Sequence, residues 1–205
     1  LAQGFEIVHI NISSKMSSCY VNACLAAQEV GNVLVVDSRN LSTGIGHLAL
    51  DAVELAAAGF SAQEIFERME RRKHALHVSF VLDTLSYLHK GGRCSAVAAL
   101  GANLLQLKPC IEVRNGVMGV GKKYRGKLET ALVQYVQDKL SDPARIDSRR
   151  LFITDSGVPD ETRRLVRETA LRCVPFEKVY FTRAGCTISA HCGPGCLGIL
   201  YYGKE

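Results

Sequence analysis

Short apolar runs alternate with helix-spaced segments along the first third of the chain. "FEIVHINI" (5–12) is a compact strand-like run, and "SCYVNACLAAQEV" (18–30) carries helical spacing up to Gly31. "VLVVDS" (33–38) is nearly continuous in apolar residues, as in strands covered on both faces of a parallel sheet. "STGIGH" (42–47) reads as a glycine-containing turn, and the alanine-rich "LALDAVELAAAGF" reads as a helix stopped by Gly59. Strand, helix, strand, helix is the rhythm of a parallel α/β layer. "SAQE" (61–64) is a capping box: Ser61 and Glu64 are spaced to satisfy two free amides at a helix start. That helix is expected to run to about residue 74 and to connect to a second unit.

The second unit reads as mixed α/β. "HVSFVL" (77–82) is a strand, "DTLSYLHKGG" a short helix stopped by two glycines, and "CSAVAALGANLL" another helix. Asn115-Gly116 lies between two strand-like runs and predicts a hairpin. "RGKLETALVQYVQDKL" predicts an amphipathic helix and "RLFITDS" a strand, and Pro159-Asp160 opens the helix "DETRRLVRETALRC". "KVYFTRA" and "LGILYYG" finish as strands. The expected division is 1–74, a parallel α/β layer with its connecting helix, and 75–205, a mixed α/β domain. Neither an internal repeat nor a low-complexity stretch interrupts the pattern.

Composition adds little that is unusual. The 205 residues are 47% hydrophobic and 22% charged, with a net charge of +5, ordinary for a globular protein. No apolar run approaches the length of a membrane span. "ERMERRKH" (67–74), the densest charge cluster, interleaves glutamates and reads as a solvated helix face rather than a nucleic-acid patch. The eight cysteines form no CxxC pair, and several sit inside apolar runs where thiols behave as small hydrophobes. Without a secretory signal, a reduced, cytoplasmic protein is expected.

Five stretches could carry chemistry. "NISSKMSSCY" (11–20) places four serines between a strand and a helix, where hydroxyls and free amides bind anions; one serine could equally serve only as a cap. "STGIGH" lacks the three spaced glycines of a dinucleotide site. "HKGGRCS" (89–95) lets Gly91 and Gly92 adopt positive φ, so that Arg93 projects from a turn. "KKYRGK" (122–127) sets four positive charges at a strand-to-helix junction, a phosphate or carboxylate clamp or a solvated junction. "TISAHCGPGC" (187–196) holds His191 with Cys192 and Cys196. Its spacings are not those of structural zinc sites. A nucleophilic His191–Cys192 pair is disfavoured because neighbours on a strand point to opposite faces. His191 is left as a hydrogen-bonding group at a glycine-rich turn, either structural or beside a ligand.

In this order the motifs resemble the DegV family of bacterial fatty-acid-binding proteins, over nearly the whole chain. "ISSKMSSCY" resembles the family's I-S-S-x-L-S-G-T-Y, and "VVDS" with "STGIGHLAL" its V-x-D-[ST] and S-x-G-x-G. "LDTLSYLHKGGRCS" is similar to a helix ending in Y-L-x-K-G-G-R-I-S. "LLQLKPCIEVRNG" with "KKYRGK" resembles L-L-x-I-K-P-I-L followed by K-x-R-G, and "ISAHCGPGCLG" resembles S-x-H-x-G-P-G-x-x-G. Ser18-Cys19 stands where the family has Gly-Thr. The chain opens at Leu1, and the family's opening D-S-x-x-D-L strand end and T-S-Q-P-S loop are expected upstream of it.

The resemblance implies two α/β domains, a parallel Rossmann-like layer and a mixed domain, with a long-chain fatty acid such as palmitate between them as the only bound group. It implies carboxylate binding by Ser17 with Ser14 beside it and by His191. Arg93 and Arg125 are implied as the anion clamp that supports phosphoryl transfer. The partner implied is an ATP-dependent fatty acid kinase subunit, which phosphorylates the bound carboxylate; no cofactor, metal, catalytic residue or nucleic acid is implied, and transient contact with a membrane surface is left open. The rival reading is a stand-alone phosphotransferase or hydrolase using the serine loop. It lacks a phosphate loop with its lysine, a G-x-S-x-G elbow and a Ser-His-acid set.

Overall fold

The computed structural model describes residues 4–92 and 107–204. They divide into two compact units. The first holds residues 1–76 with the turn 115–117, and the second holds 77–114 with 118–205.

The first unit is built on a parallel pair, β1 (Ile7–Asn11) and β2 (Val33–Asp37), in register from Ile7 opposite Val33 to Asn11 opposite Asp37. A parallel pair needs a crossover, supplied by α1 (Cys19–Val30), which ends at Gly31 with φ 71°. α2 (Thr43–Ala57) and α3 (Ala62–Arg72) pack together, and α1 and α3 both lie on β2. Val36, Leu48, Ile65 and Met69 are buried here, whereas Val21, Leu25 and Val30 of α1 are exposed. The capping box forms as its spacing predicts. Ser61 Oγ accepts from the Glu64 amide, and the Glu64 carboxylate accepts from the Ser61 amide at 2.9 Å. The expected turn at 42–47 is instead the first turn of α2, with Gly44 buried inside the helix. A glycine there reads as a break in sequence but sits buried within the helix.

The second unit carries a six-stranded mixed sheet in the order β5-β4-β3-β8-β6-β7. Its strands are β3 (Leu76–Val81), β4 (Leu107–Arg114), β5 (Val117–Arg125), β6 (Ile146–Asp155), β7 (Lys178–Arg183) and β8 (Leu197–Gly203). β3 pairs antiparallel with β4; β6 runs parallel to β7 and antiparallel to β8. The helices are α4 (Ser86–Lys90), α5 (Leu128–Lys139), α6 (Asp160–Cys173) and α7 (Cys186–Cys192). Asn115 and Gly116 take φ of 51° and 83°, the left-handed pair that a two-residue hairpin turn requires. Val81, Leu132, Tyr135, Leu151, Val166 and Ile199 belong to one buried cluster of this unit. The helix expected over "CSAVAALGANLL" lies outside the described residues. No described helix is long and apolar enough to cross a membrane.

Candidate functional site

In the first unit the polar groups collect at the carboxyl ends of β1 and β2, the end at which open α/β sheets hold ligands. The loop leaving β1 is tied down by its own serines. Ser13 is fully buried; its hydroxyl donates to the Gly116 carbonyl at 2.7 Å and accepts the Lys15 amide at 3.2 Å. Its carbonyl accepts the amides of Met16 and Ser17, and its amide donates to Asn40 O at 2.9 Å. Ser14 turns to the neighbouring strand end: its hydroxyl donates to Asp37 Oδ2 at 2.6 Å and its amide to Oδ1 at 3.1 Å. Burial pushes the Asp37 carboxyl up, but the bonds from Ser14 and from the Arg39 amide outweigh it and hold the group below its ordinary value. An Asp in that state is a weak base, so the Ser14–Asp37 pair is poorly suited to activating a nucleophile. The Ser14 proton is committed to Asp37, which leaves it none to donate to a ligand carboxylate.

Ser17 is different. Its hydroxyl oxygen accepts the Cys19 amide at 3.2 Å, and its proton goes to Cys19 Sγ at 3.0 Å. A thiol sulfur is a weak acceptor, so the bond is readily exchanged for a better one. Ser17 stands at the start of α1, where first-turn amides face outward and a negative group is favoured. Asn11, at the end of β1, has its Nδ2 buried without a hydrogen-bond partner among the described residues. Neither Asn11 nor Asp37 stood out in the sequence as a candidate; the signal was their place as the last residue of each strand.

In the second unit His191 lies on α7, not on the strand that the alternation argument assumed. The helix ends at Gly193, with φ 74°, whose amide donates to Ser189 O at 2.8 Å. The imidazole rests against α4. A methyl group on Gly91 would lie 2.1 Å from His191 Nδ1 and 2.8 Å from Cε1, and one on Gly193 would lie 2.3 Å from the Tyr87 ring. Gly91 has φ −78°, so its glycine serves this close approach and not a left-handed turn. Only Gly92, with φ 68°, uses the freedom expected of both. His191 Nδ1 is buried and has no hydrogen-bond partner among the described residues.

Arg125, the last residue of β5, is exposed and forms no ion pair among the described residues; Gly126 follows it with φ 95°. Its neighbour Lys122 is paired with Asp138 at 2.6 Å and lies over the Tyr124 ring, so one of the four charges of "KKYRGK" is already engaged. The loop after His191 comes near this junction. A methyl on Gly195 would lie 3.1 Å from Asp83 Cβ and 3.5 Å from Leu128 Cδ2, at the start of α5. Asp83 is itself paired with Lys108 at 2.6 Å, a contact the sequence did not suggest. Arg93 lies outside the described residues. Among the described residues no group of three or more His, Cys, Asp or Glu side chains could hold a metal ion.

Comparison with known proteins bears on both units. The family profile described as "uncharacterised protein, DegV family" matches residues 1–204. A DegV domain-containing protein of Clostridium acetobutylicum is 31% identical over 206 residues, covering 100% of this chain and 72% of that one. The structure of a Thermus thermophilus DegV family protein, described by its fatty acid binding, superposes with TM-score 0.84 at 30% identity, over 97% of this chain and 71% of its own. The Streptococcus pneumoniae Fatty Acid Kinase (Fak) B3 protein, loaded with linoleic acid, shares the fold with TM-score 0.85 at 20% identity, over 97% of this chain and 72% of its own. Since the profile runs through the serine loop, the Gly91–His191 contact and the hairpin alike, this chain belongs to the DegV family.

Proposed function

We propose that this chain binds a long-chain fatty acid and presents its carboxylate to a separate ATP-dependent kinase, which forms the acyl-phosphate. It acts as a carrier in the cytoplasm and is not itself the catalyst. The observation that carries this reading is the Ser17 hydroxyl, whose proton is held only by the Cys19 sulfur at 3.0 Å. A carboxylate oxygen is a far stronger acceptor than a thiol, and a charge-assisted bond would replace a weak one. The fatty-acid-binding relative from Thermus thermophilus supports a long acyl chain as the ligand class. The fold shared with the Streptococcus pneumoniae kinase B3 protein supports the partner.

Within this reading Ser17 donates to the carboxylate, and Ser14 holds the loop in place through Asp37. In the second unit His191 keeps a buried nitrogen with no partner among the described residues, the group that the resemblance assigns to ligand binding. Arg125, and on the resemblance Arg93, neutralise the incoming phosphoryl charge. Assays of the isolated chain for ATP and ester hydrolysis, beside the same chain supplied with a fatty acid kinase, test the assignment. Acyl-phosphate only in the presence of the kinase is expected. Turnover by the chain alone would overturn the carrier role in favour of the serine-loop enzyme.

A further inference from the structure

Cys192 closes α7 and Cys196 stands directly before β8; Gly193, Pro194 and Gly195 turn the chain between them with φ of 74° and 76° at the two glycines. Ser156 cinches this turn. Its amide donates to Cys196 O at 2.9 Å, its carbonyl accepts the Gly195 amide at 3.3 Å, and its hydroxyl donates to Gly193 O. Both cysteines point into one apolar cluster with Phe80, Leu82, Leu88 and Ile111, at 5% and 6% exposure. There the two free thiols stand at the two ends of one five-residue turn, inside the same cluster. Interaction with Cys196 holds the Cys192 thiol below its ordinary value, and Cys192 together with burial raises that of Cys196. One thiol biased toward the thiolate, with a second in reach, is the arrangement of a nucleophilic and a resolving cysteine.

We propose that Cys192 and Cys196 are a reversible thiol–disulfide site, closed by small two-electron oxidants of the peroxide class. The Cys192 thiolate attacks one peroxide oxygen, the O–O bond breaks, and hydroxide leaves, taking a proton to become water. The Cys196 sulfur then attacks the resulting sulfenic acid, its proton and the hydroxyl leave as a second water, and the S–S bond forms. Two thiols and one hydrogen peroxide become one disulfide and two waters. An external dithiol reverses the step by exchange. Among the described residues, Cys19, Cys110 and Cys186 differ in setting. Cys19 and Cys186 are exposed, and Cys110 is buried with its thiol pushed up to about 12 by desolvation. Pro194, between the two cysteines on the turn, is exposed.

The proposal does not depend on any bound ligand. Its test is hydrogen peroxide treatment of the reduced, folded chain, alkylation after denaturation, and peptide mass mapping. The expected product is the tryptic peptide 184–204 alkylated at Cys186 alone, lighter by two hydrogens across Cys192 and Cys196, and restored to three alkylation sites by dithiothreitol. Cys192→Ser and Cys196→Ser each abolish it, and Cys186→Ser leaves it intact. Alkylation of all three cysteines in the treated wild-type peptide, or a bridge from either one to Cys186, would overturn the proposal even if the serine variants fail to fold.

Discussion

Ser17 donates to a sulfur, and that is an unusual use of a hydroxyl beside a helix start. On the proposed function, ligand binding trades that weak bond for a charge-assisted one. Ser17→Ala should therefore weaken fatty acid binding by about 1–3 kcal/mol, or roughly five- to 150-fold in Kd. Titration calorimetry with a C16 acid checks this, and an unchanged Kd would remove Ser17 from the site. Gly91 gives a second prediction. Its φ suits alanine, so the chief clash of Gly91→Ala is with the His191 ring, its methyl falling 2.1 Å from Nδ1, with the Tyr87 carbonyl at 3.3 Å a lesser one. Displacing that imidazole should lower acyl-phosphate formation with the kinase on the order of 10²-fold, as His191→Ala should, and spare lipid binding more. Parallel loss of both activities in the two variants would show that His191 only holds the ligand or the fold.

At the scale of elements, one buried hydroxyl joins a helix and two strands. Tyr135 of α5 is fully buried; its hydroxyl donates to Ser79 O of β3 at 2.7 Å, accepts the Ile199 amide of β8 at 3.1 Å, and shares a bond with Ser79 Oγ at 2.8 Å. Tyr135→Phe leaves those groups unpaired inside the protein. It should cost about 1–3 kcal/mol of stability, read as a lower midpoint of urea unfolding at unchanged slope. Elements whose signals are local were legible in the sequence: the β1-α1-β2-α2 order, the Ser61–Glu64 box, the Asn115-Gly116 hairpin, and α6 behind Pro159. Contacts between elements were not. Nothing near Ser14 in sequence names Asp37, twenty-three residues away. The need for glycine at position 91 comes from His191 on another helix, and α7 was missed because its seven residues are too short for a periodic signal.

Across the whole molecule, buried acids make the folded state sensitive to pH. Asp155 is 2% exposed. Burial pushes its carboxyl up, yet Arg163 at 2.7 Å and the Gly157 and Val158 amides more than offset this and hold it low. With Asp37, it contributes stability that is present above about pH 4, the ordinary carboxylate value, and is lost as pH falls through the lowered folded-state value. His77, stacked on Tyr201 at 5.2 Å, is lowered chiefly by burial. The unfolded chain therefore takes up its proton first, and stability begins to fall below about pH 6.5. Thermal midpoints should drop in two stages on acidification. His77→Phe should remove the upper stage and leave the lower, and an upper stage that persists would assign it elsewhere.

The most direct measurement is native mass spectrometry of the chain as purified, followed by denaturing extraction of whatever it carries. One C14–C18 fatty acid per chain is the expected result, with its occupancy reduced in Ser17→Ala. A chain that emerges empty and takes up no added fatty acid at concentrations that saturate its Thermus thermophilus relative would contradict the carrier role.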